Sequence, residues 1–189
     1  MMAVESSSKR SYPWTANLKG LSVTLRLMAA EDGSALLSFA QSLPENDLLF
    51  LSVDMTRPIA IEQWIRSIEK GRTTTVLAEV DGKLIGHGTL RHEDLVWTRH
   101  LGEMQLLISP DYRGRGIGNI LAQEVFAMAQ ERGLQKIVAR MASEQRGALQ
   151  VFERLGFRAE ALLADYVIDR QDRTHDLIVM SYDVTGLNE

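Results

Sequence analysis

Ile108-Ser109-Pro110-Asp111-Tyr112-Arg113-Gly114-Arg115-Gly116-Ile117-Gly118-Asn119 is the stretch around which the chain is built. A strand-like run, Glu103 to Ile108, leads into it. Ile117, Leu121, Val125 and Met128 follow it at the three- and four-residue spacing of a helix. A strand that turns through glycines into a helix leaves the first helical N–H groups without backbone partners, facing the turn. The helix dipole favours negative charge at the same place. Gly114, Gly116 and Gly118 have no Cβ to keep a bulky anion from the backbone, and Arg113 and Arg115 add positive charge. The stretch reads as a cradle for a pyrophosphate.

Neither common nucleotide motif accounts for it. A Walker loop ends in Gly-Lys-Ser/Thr, a tripeptide this chain lacks. A dinucleotide fingerprint reads Gly-x-Gly-x-x-Gly near the chain start, with an acidic residue about 20 positions on. Here the glycines are evenly spaced and late in the chain. An ordinary glycine-rich turn between two solvated arginines would leave the same letters, so the rest of the chain has to decide.

The chain has 189 residues, enough for one domain with a full core and short for two. Lys and Arg number 21 against 25 Asp and Glu, a net charge of −4. That balance argues against nucleic acid or an anionic membrane as the main partner. With no cysteine, disulfides, thiolate metal sites and a thiol nucleophile are excluded. Met1 to Arg10 lacks the apolar core of a signal peptide, and no stretch approaches a membrane span. A cytoplasmic protein is expected.

Residues 1–20 read as a loose lead-in and 185–189 as a tail, with one domain, 21–184, between them. Leu21, Val23, Leu25 and Leu27 alternate with Ser22, Thr24 and Arg26, which predicts a half-buried strand. Helices are expected over Glu31–Gln41 and Ile59–Lys70, joined by Ser42–Pro58, where acidic and apolar residues mix. Thr73–Val80, rich in β-branched residues, pairs with Lys83–Arg91 through the Asp81-Gly82 turn. After the polar connection His92–His100 come the strand Glu103–Ile108, the cradle, and a helix stopped by Gly133. Gln135–Met141 is a strand, and Ser143 caps a helix that runs to Leu155. Phe157–Asp169 and Thr174–Val184 form a closing hairpin.

The order βααβββαβαββ and the motif Arg113-x-x-Gly116-x-Gly118 resemble the GNAT N-acetyltransferases over nearly the whole chain. Ala148 to Phe157, ending in Leu155-Gly156-Phe157, is similar to the family's fourth-helix segment. The resemblance implies an α/β (α+β) fold, a single domain whose mixed central sheet of about seven strands is flanked by helices. It implies acetyl-CoA as co-substrate, with no metal. The cofactor-binding residues it points to are Leu106, Leu107 and Ile108 on the strand and Arg113, Gly114, Arg115, Gly116, Ile117, Gly118 and Asn119 in the cradle. Gln145 and Phe152 join them from the later helix. By the same resemblance the strand splays from its neighbour, pairs its backbone with the pantetheine arm, and offers an amide to the thioester oxygen.

Acetyl transfer to an amine also needs the amine neutral. An alkyl ammonium of pKa about 10.4 is neutral in roughly one molecule in a thousand at pH near 7, so a base, or water leading to one, has to remove a proton. Glu103 is the first candidate: it starts a strand whose apolar pattern breaks there, ten residues before Arg113, the spacing of the general base in the histone-acetylating branch. A strand-end charge paired with Arg91 or Arg99 is the equal alternative. His87, on the neighbouring hairpin strand, is a second candidate as a relay, and packing is the commoner role for a lone strand histidine. His92, Glu93 and Asp94 are adjacent in a loop, a poor arrangement for metal ligands.

Phe152 stands where many family members carry the tyrosine that protonates the leaving thiolate, and Gln145 stands at the family's asparagine position. Tyr166, in the closing hairpin, is a candidate substitute hydroxyl, with packing as its commoner role. Acceptor choice is expected in Ser42–Pro58, where Glu45, Asp47 and Asp54 either attract a cation or, equally, form a solvated loop, and in the closing hairpin. The expected partners are a small-molecule amine or a protein lysine, with neither nucleic acid nor membrane; a homodimer is compatible with them. A CoA-binding module without turnover is the rival from another class.

Overall fold

The computed structural model describes residues 11–48, 51 and 53–185. Residues 1–10 of the expected lead-in, 186–189 of the expected tail, and 49, 50 and 52 of the Ser42–Pro58 segment lie outside them. Eight strands form one sheet: β1 (Trp14–Leu18), β2 (Leu21–Leu27), β3 (Thr73–Val80), β4 (Lys83–His92), β5 (Leu101–Ile108), β6 (Lys136–Ala142), β7 (Arg158–Ile168) and β8 (Thr174–Asp183). Their order is β1-β2-β3-β4-β5-β6-β8-β7. Every neighbouring pair is antiparallel except β5 and β6. The helices are α1 (Gly33–Gln41), α2 (Glu45–Leu48), α3 (Pro58–Glu69), α4 (Ile117–Glu131) and α5 (Arg146–Arg154).

The sheet has eight strands where about seven were expected, and the extra one is β1, inside the stretch read as a lead-in. Trp14, Ala16 and Leu18 alternate with Thr15 and Asn17 over only five residues. The turn to β2 is Lys19-Gly20, both at positive φ (49° and 80°), the backbone of a two-residue hairpin. Asn or Asp is the usual first residue of such a turn, and lysine hid the signal. The helix expected from Ser143 starts instead at Arg146. Ser143 is still tied to the sheet, its N–H donating to Asp176 O at 2.9 Å, and Gln145 closes the turn by accepting from Ala142 N–H at 3.0 Å.

The two faces of the sheet differ, and the difference makes the site. On one face α4 lays Ile117, Leu121, Val125 and Met128 onto Val76, Ala78, Ile85 and Leu90, and α5 adds Phe152. Gly88 lets α4 come this close, since a Cβ there would stand 3.1 Å from Leu121 O. Leu121 is fully buried, and trimming such a leucine to alanine costs about 2–5 kcal/mol. On the other face α1 and α3 cover only the β3–β5 half, through Leu36, Phe39, Ile61 and Trp64 against Leu77, Leu84 and Leu107. From Glu103 on β5 outward that face carries Arg140, Glu160 and Ser181, a polar surface.

Candidate active site

Strands β5 and β6 run side by side for three residue pairs, Leu101↔Lys136 to Glu103↔Val138, and pair no further. From Met104 on β5 and Ala139 on β6 the sheet forks. Ser109 N–H donates to Ile85 O at 2.8 Å, and the β4–β5 register runs from Gly86↔Ile108 to His92↔Gly102. Antiparallel pairing alternates, so Leu106 and Ile108 turn their N–H and C=O groups away from β4, toward the fork. Leu107 turns its backbone to His87 and its side chain into the cluster under α1 and α3.

At the wide end of the fork the cradle sits on α4. Gly116 precedes the helix at φ 93°, a left-handed conformation. A Cβ built there would meet nothing nearer than Leu18 Cδ2 at 4.0 Å, so the space in front of Gly116 is open. Ile117 is buried and anchors the first turn, while Arg113, Gly114, Arg115 and Asn119 are exposed. The first backbone bond of the helix is Ile120 N–H to Gly116 O, which leaves the N–H groups of Ile117, Gly118 and Asn119 facing the turn. Three contacts here had no sequence signal. Lys19, from the β1–β2 turn, donates Nζ to Gly114 O at 2.8 Å, bringing a third cation to the cradle. Arg113 donates Nε to Ile108 O at 3.1 Å and pairs through Nη2 with Asp47 at 2.7 Å.

Glu103 stands at the apex of the fork, on the face that α1 and α3 leave open. Its carboxylate lies 3.6 Å from Arg140 Nη1, and Arg91 is opposite it on β4. Arg99, the other partner considered, instead donates to Val96 O. Burial lowers the Arg91 pKa and the Glu103 charge raises it. Its guanidinium lies 4.5 Å from the Trp64 ring centroid, within cation–π range.

His87 is fully buried beneath α1 and α3, edge-on to Trp64 (5.3 Å) and Phe39 (6.3 Å). Burial, then the charge of Arg91, pushes its pKa down to about 3, so the ring is neutral. It shares a hydrogen bond with Thr89 at 3.1 Å, and the chain continues through Thr75 to Trp64 Nε1. Gln145 is spent on the β6–α5 turn. Phe152 is 7% exposed and packs edge-on against Phe157 at 5.0 Å. Tyr166 is 64% exposed on β7, within an irregularity between Leu163 and Val167. The fork thus brings together Leu106, Ile108, Glu103 and the cradle, with His87 shut beneath the helices.

The model of the acetyltransferase (GNAT) family matches residues 33–157, the segment that holds the fork and the cradle. The chain belongs to the GNAT acetyltransferase family. An uncharacterized N-acetyltransferase of Methanocaldococcus jannaschii is 29% identical over 97 residues, 48% of this chain and 42% of the relative. The chain thus spans less than half the length of this relative. Among solved structures, a ribosomal-protein-alanine N-acetyltransferase from Brucella melitensis superposes with a TM-score of 0.74 at 22% identity, covering 84% of this chain and 98% of that one. A phosphinothricin acetyltransferase from Sinorhizobium meliloti, in complex with acetyl-CoA, gives 0.74 at 20% identity, covering 85% and 88%. At these identities the superpositions establish the GNAT fold.

Proposed function

We propose that the protein is an N-acetyltransferase that moves the acetyl group of acetyl-CoA to a primary amine, with both substrates bound together. The observation that carries this is the fork of β5 and β6 opening onto a glycine-lined helix N-terminus. Family membership and the acetyl-CoA in the Sinorhizobium enzyme support the co-substrate. Gly116 and the first-turn amides of α4 would take the pyrophosphate, with Arg113, Arg115 and Lys19 supplying charge. Leu106 and Ile108 would pair with the pantetheine arm through the backbone they present to the fork. We place the activity in the cytoplasm, where acetyl-CoA is available.

In the transfer, one C–N bond forms as the C–S bond breaks, and sulfur leaves with the electron pair. Glu103, directly or through water, takes the proton from the attacking nitrogen and returns it to solvent or to the departing thiolate. A thiol of pKa about 8.5 is a fair leaving group, so the missing hydroxyl at Phe152 is compatible with turnover. We assign His87 to packing, because its neutral ring is fully buried against Trp64 and Phe39.

Incubation with acetyl-CoA and a panel of polyamines, amino acids and a lysine peptide tests the reading. Free thiol should appear in step with a product heavier by one acetyl group, and initial-rate lines should intersect. Phe152 favours one other reading, a CoA-binding module without turnover. Tight CoA binding with no product from any amine would establish that module instead.

A further inference from the structure

The acceptor side of the fork is dominated by guanidinium groups, and this narrows the amine. The acids that sequence marked as attractors of a cation are already engaged. Arg170 reaches Glu45 at 3.2 Å and Asp54 at 3.7 Å, and Arg113 holds Asp47 at 2.7 Å. Farther along the same open face, Glu160 accepts from Lys136 at 2.6 Å and from Ser181 at 2.5 Å. At the apex itself one carboxylate, Glu103, faces two guanidiniums, Arg91 across the β4–β5 ladder and Arg140 at 3.6 Å. Arg140 is 56% exposed and Glu103 34%, so a molecule entering from the open face meets both.

A second cationic centre on the acceptor would approach Arg91 and Arg140, which disfavours polyamines. A lysine side chain brings no anion to set against Arg140. We infer that the acceptor is an α-amino acid, bound with its carboxylate on Arg140 and its amine on Glu103. The Arg140–Glu103 pair is an opposite-charge couple of the right polarity for a zwitterion whose two charged groups are attached to one carbon. When the zwitterion enters, each group exchanges one ionic partner for another, and no charge is left unpaired in the cleft. Arginine suits the task because its planar fork of N–H groups matches a carboxylate in two parallel bonds. Arg140 is therefore a specificity-determining residue. The inference rests on the transferase reading of the same fork.

Thiol-release rates test it by comparing each standard L-amino acid with the amine left when its carboxyl group is removed, such as tyrosine with tyramine. For the best amino acid, kcat/KM should exceed that of its decarboxylated partner roughly ten- to a hundredfold, the worth of a charge-assisted hydrogen bond. Arg140→Gln should bring the ratio close to one, and Arg140→Lys should fall between. Spermidine or a lysine peptide as the best acceptor overturns the inference, as does a ratio that Arg140→Gln leaves unchanged. Calorimetric titration of the CoA-saturated protein with the same amino acids reads the site without turnover. Thiol release from no amine at all sinks the transferase reading; amino-acid binding weakened by Arg140→Gln would still uphold the site. Absence of both would end the two together.

Discussion

At the cradle the surface proposed to bind CoA is main chain, whereas across the fork the proposed acceptor face is side chain. Gly116 holds a left-handed backbone, and α4 aims its own first amides, so the geometry is set by a dozen consecutive residues. The acceptor face depends on pairs far apart in sequence. Arg170 and Glu45 are 125 positions apart, and Glu103 meets Arg140 only because a helix crossover sets β6 beside β5. A main-chain site is stiff and indifferent to pH. A side-chain site can be retuned by single substitutions.

The largest expected effect breaks the cradle alone. Gly116→Val places a β-branched side chain at φ 93°, where such residues are outliers, and fills the open space in front of the helix. The strain costs on the order of 1–3 kcal/mol, and because little lies near the new Cβ the chain should still fold. CoA binding by calorimetry should be lost while circular dichroism stays that of the parent. Unchanged CoA affinity in the folded variant would remove the cradle from the account.

The next effect should fall on rate and spare CoA. Glu103→Gln keeps the shape and removes the basicity. At neutral pH the turnover should drop by roughly 10²–10⁴, the usual worth of a positioned base, with CoA affinity unchanged. Raising the pH should recover much of the loss, because solvent then supplies neutral amine. A parent-like rate from pH 6 to 9 would return Glu103 to a strand-end charge paired with arginine.

The same contrast explains what could be read from the letters. The cradle, its strand and its helix were legible because apolar spacing and glycine placement are local signals. So were the Asp81-Gly82 hairpin and the ending at Gly133. Strand β1 was not, because its turn carries lysine in place of the usual residue and the strand is short. Alternation put His87 on a strand face but could not say that Phe39 and Trp64 would close over it. Lys19 and Arg140 left no trace at all, and Asp47 stood out only as a loop acid: their partners are brought to them by tertiary structure, and an ion pair has no period in sequence. Glu45 and Asp54 looked like cation attractors for the same reason, since Arg170 lay out of sight.

The smallest expected effect lies at the outer rim of the acceptor face and asks whether that face responds to pH as the cradle does not. His175 is clamped between Asp169, 2.9 Å from Nε2, and Glu144, 2.9 Å from Nδ1. Asp169, then Glu144, raises the imidazole pKa above its ordinary value. In return His175 holds the Asp169 carboxyl well below the usual carboxylate range, helped by Arg173 and the backbone N–H groups of Arg173 and Gln171. A raised histidine pKa contributes stability fully present below the unfolded value, about 6.5, and lost as pH climbs through the folded one. The depressed Asp169 works oppositely, contributing above its unfolded value, about 3.9, and losing that as pH falls through the folded one. The clamp is therefore strongest from roughly pH 4 to 6.5. Amide exchange at residues 169–175 should be faster in His175→Gln than in the parent within that window, and the gap should narrow as pH rises past the folded histidine pKa. Exchange in the first turn of α4 should show no such gap. A gap at the hairpin that is constant from pH 5 to 9 would mean that Arg173, 2.8 Å from Asp169, holds the turn and that His175 only fills space.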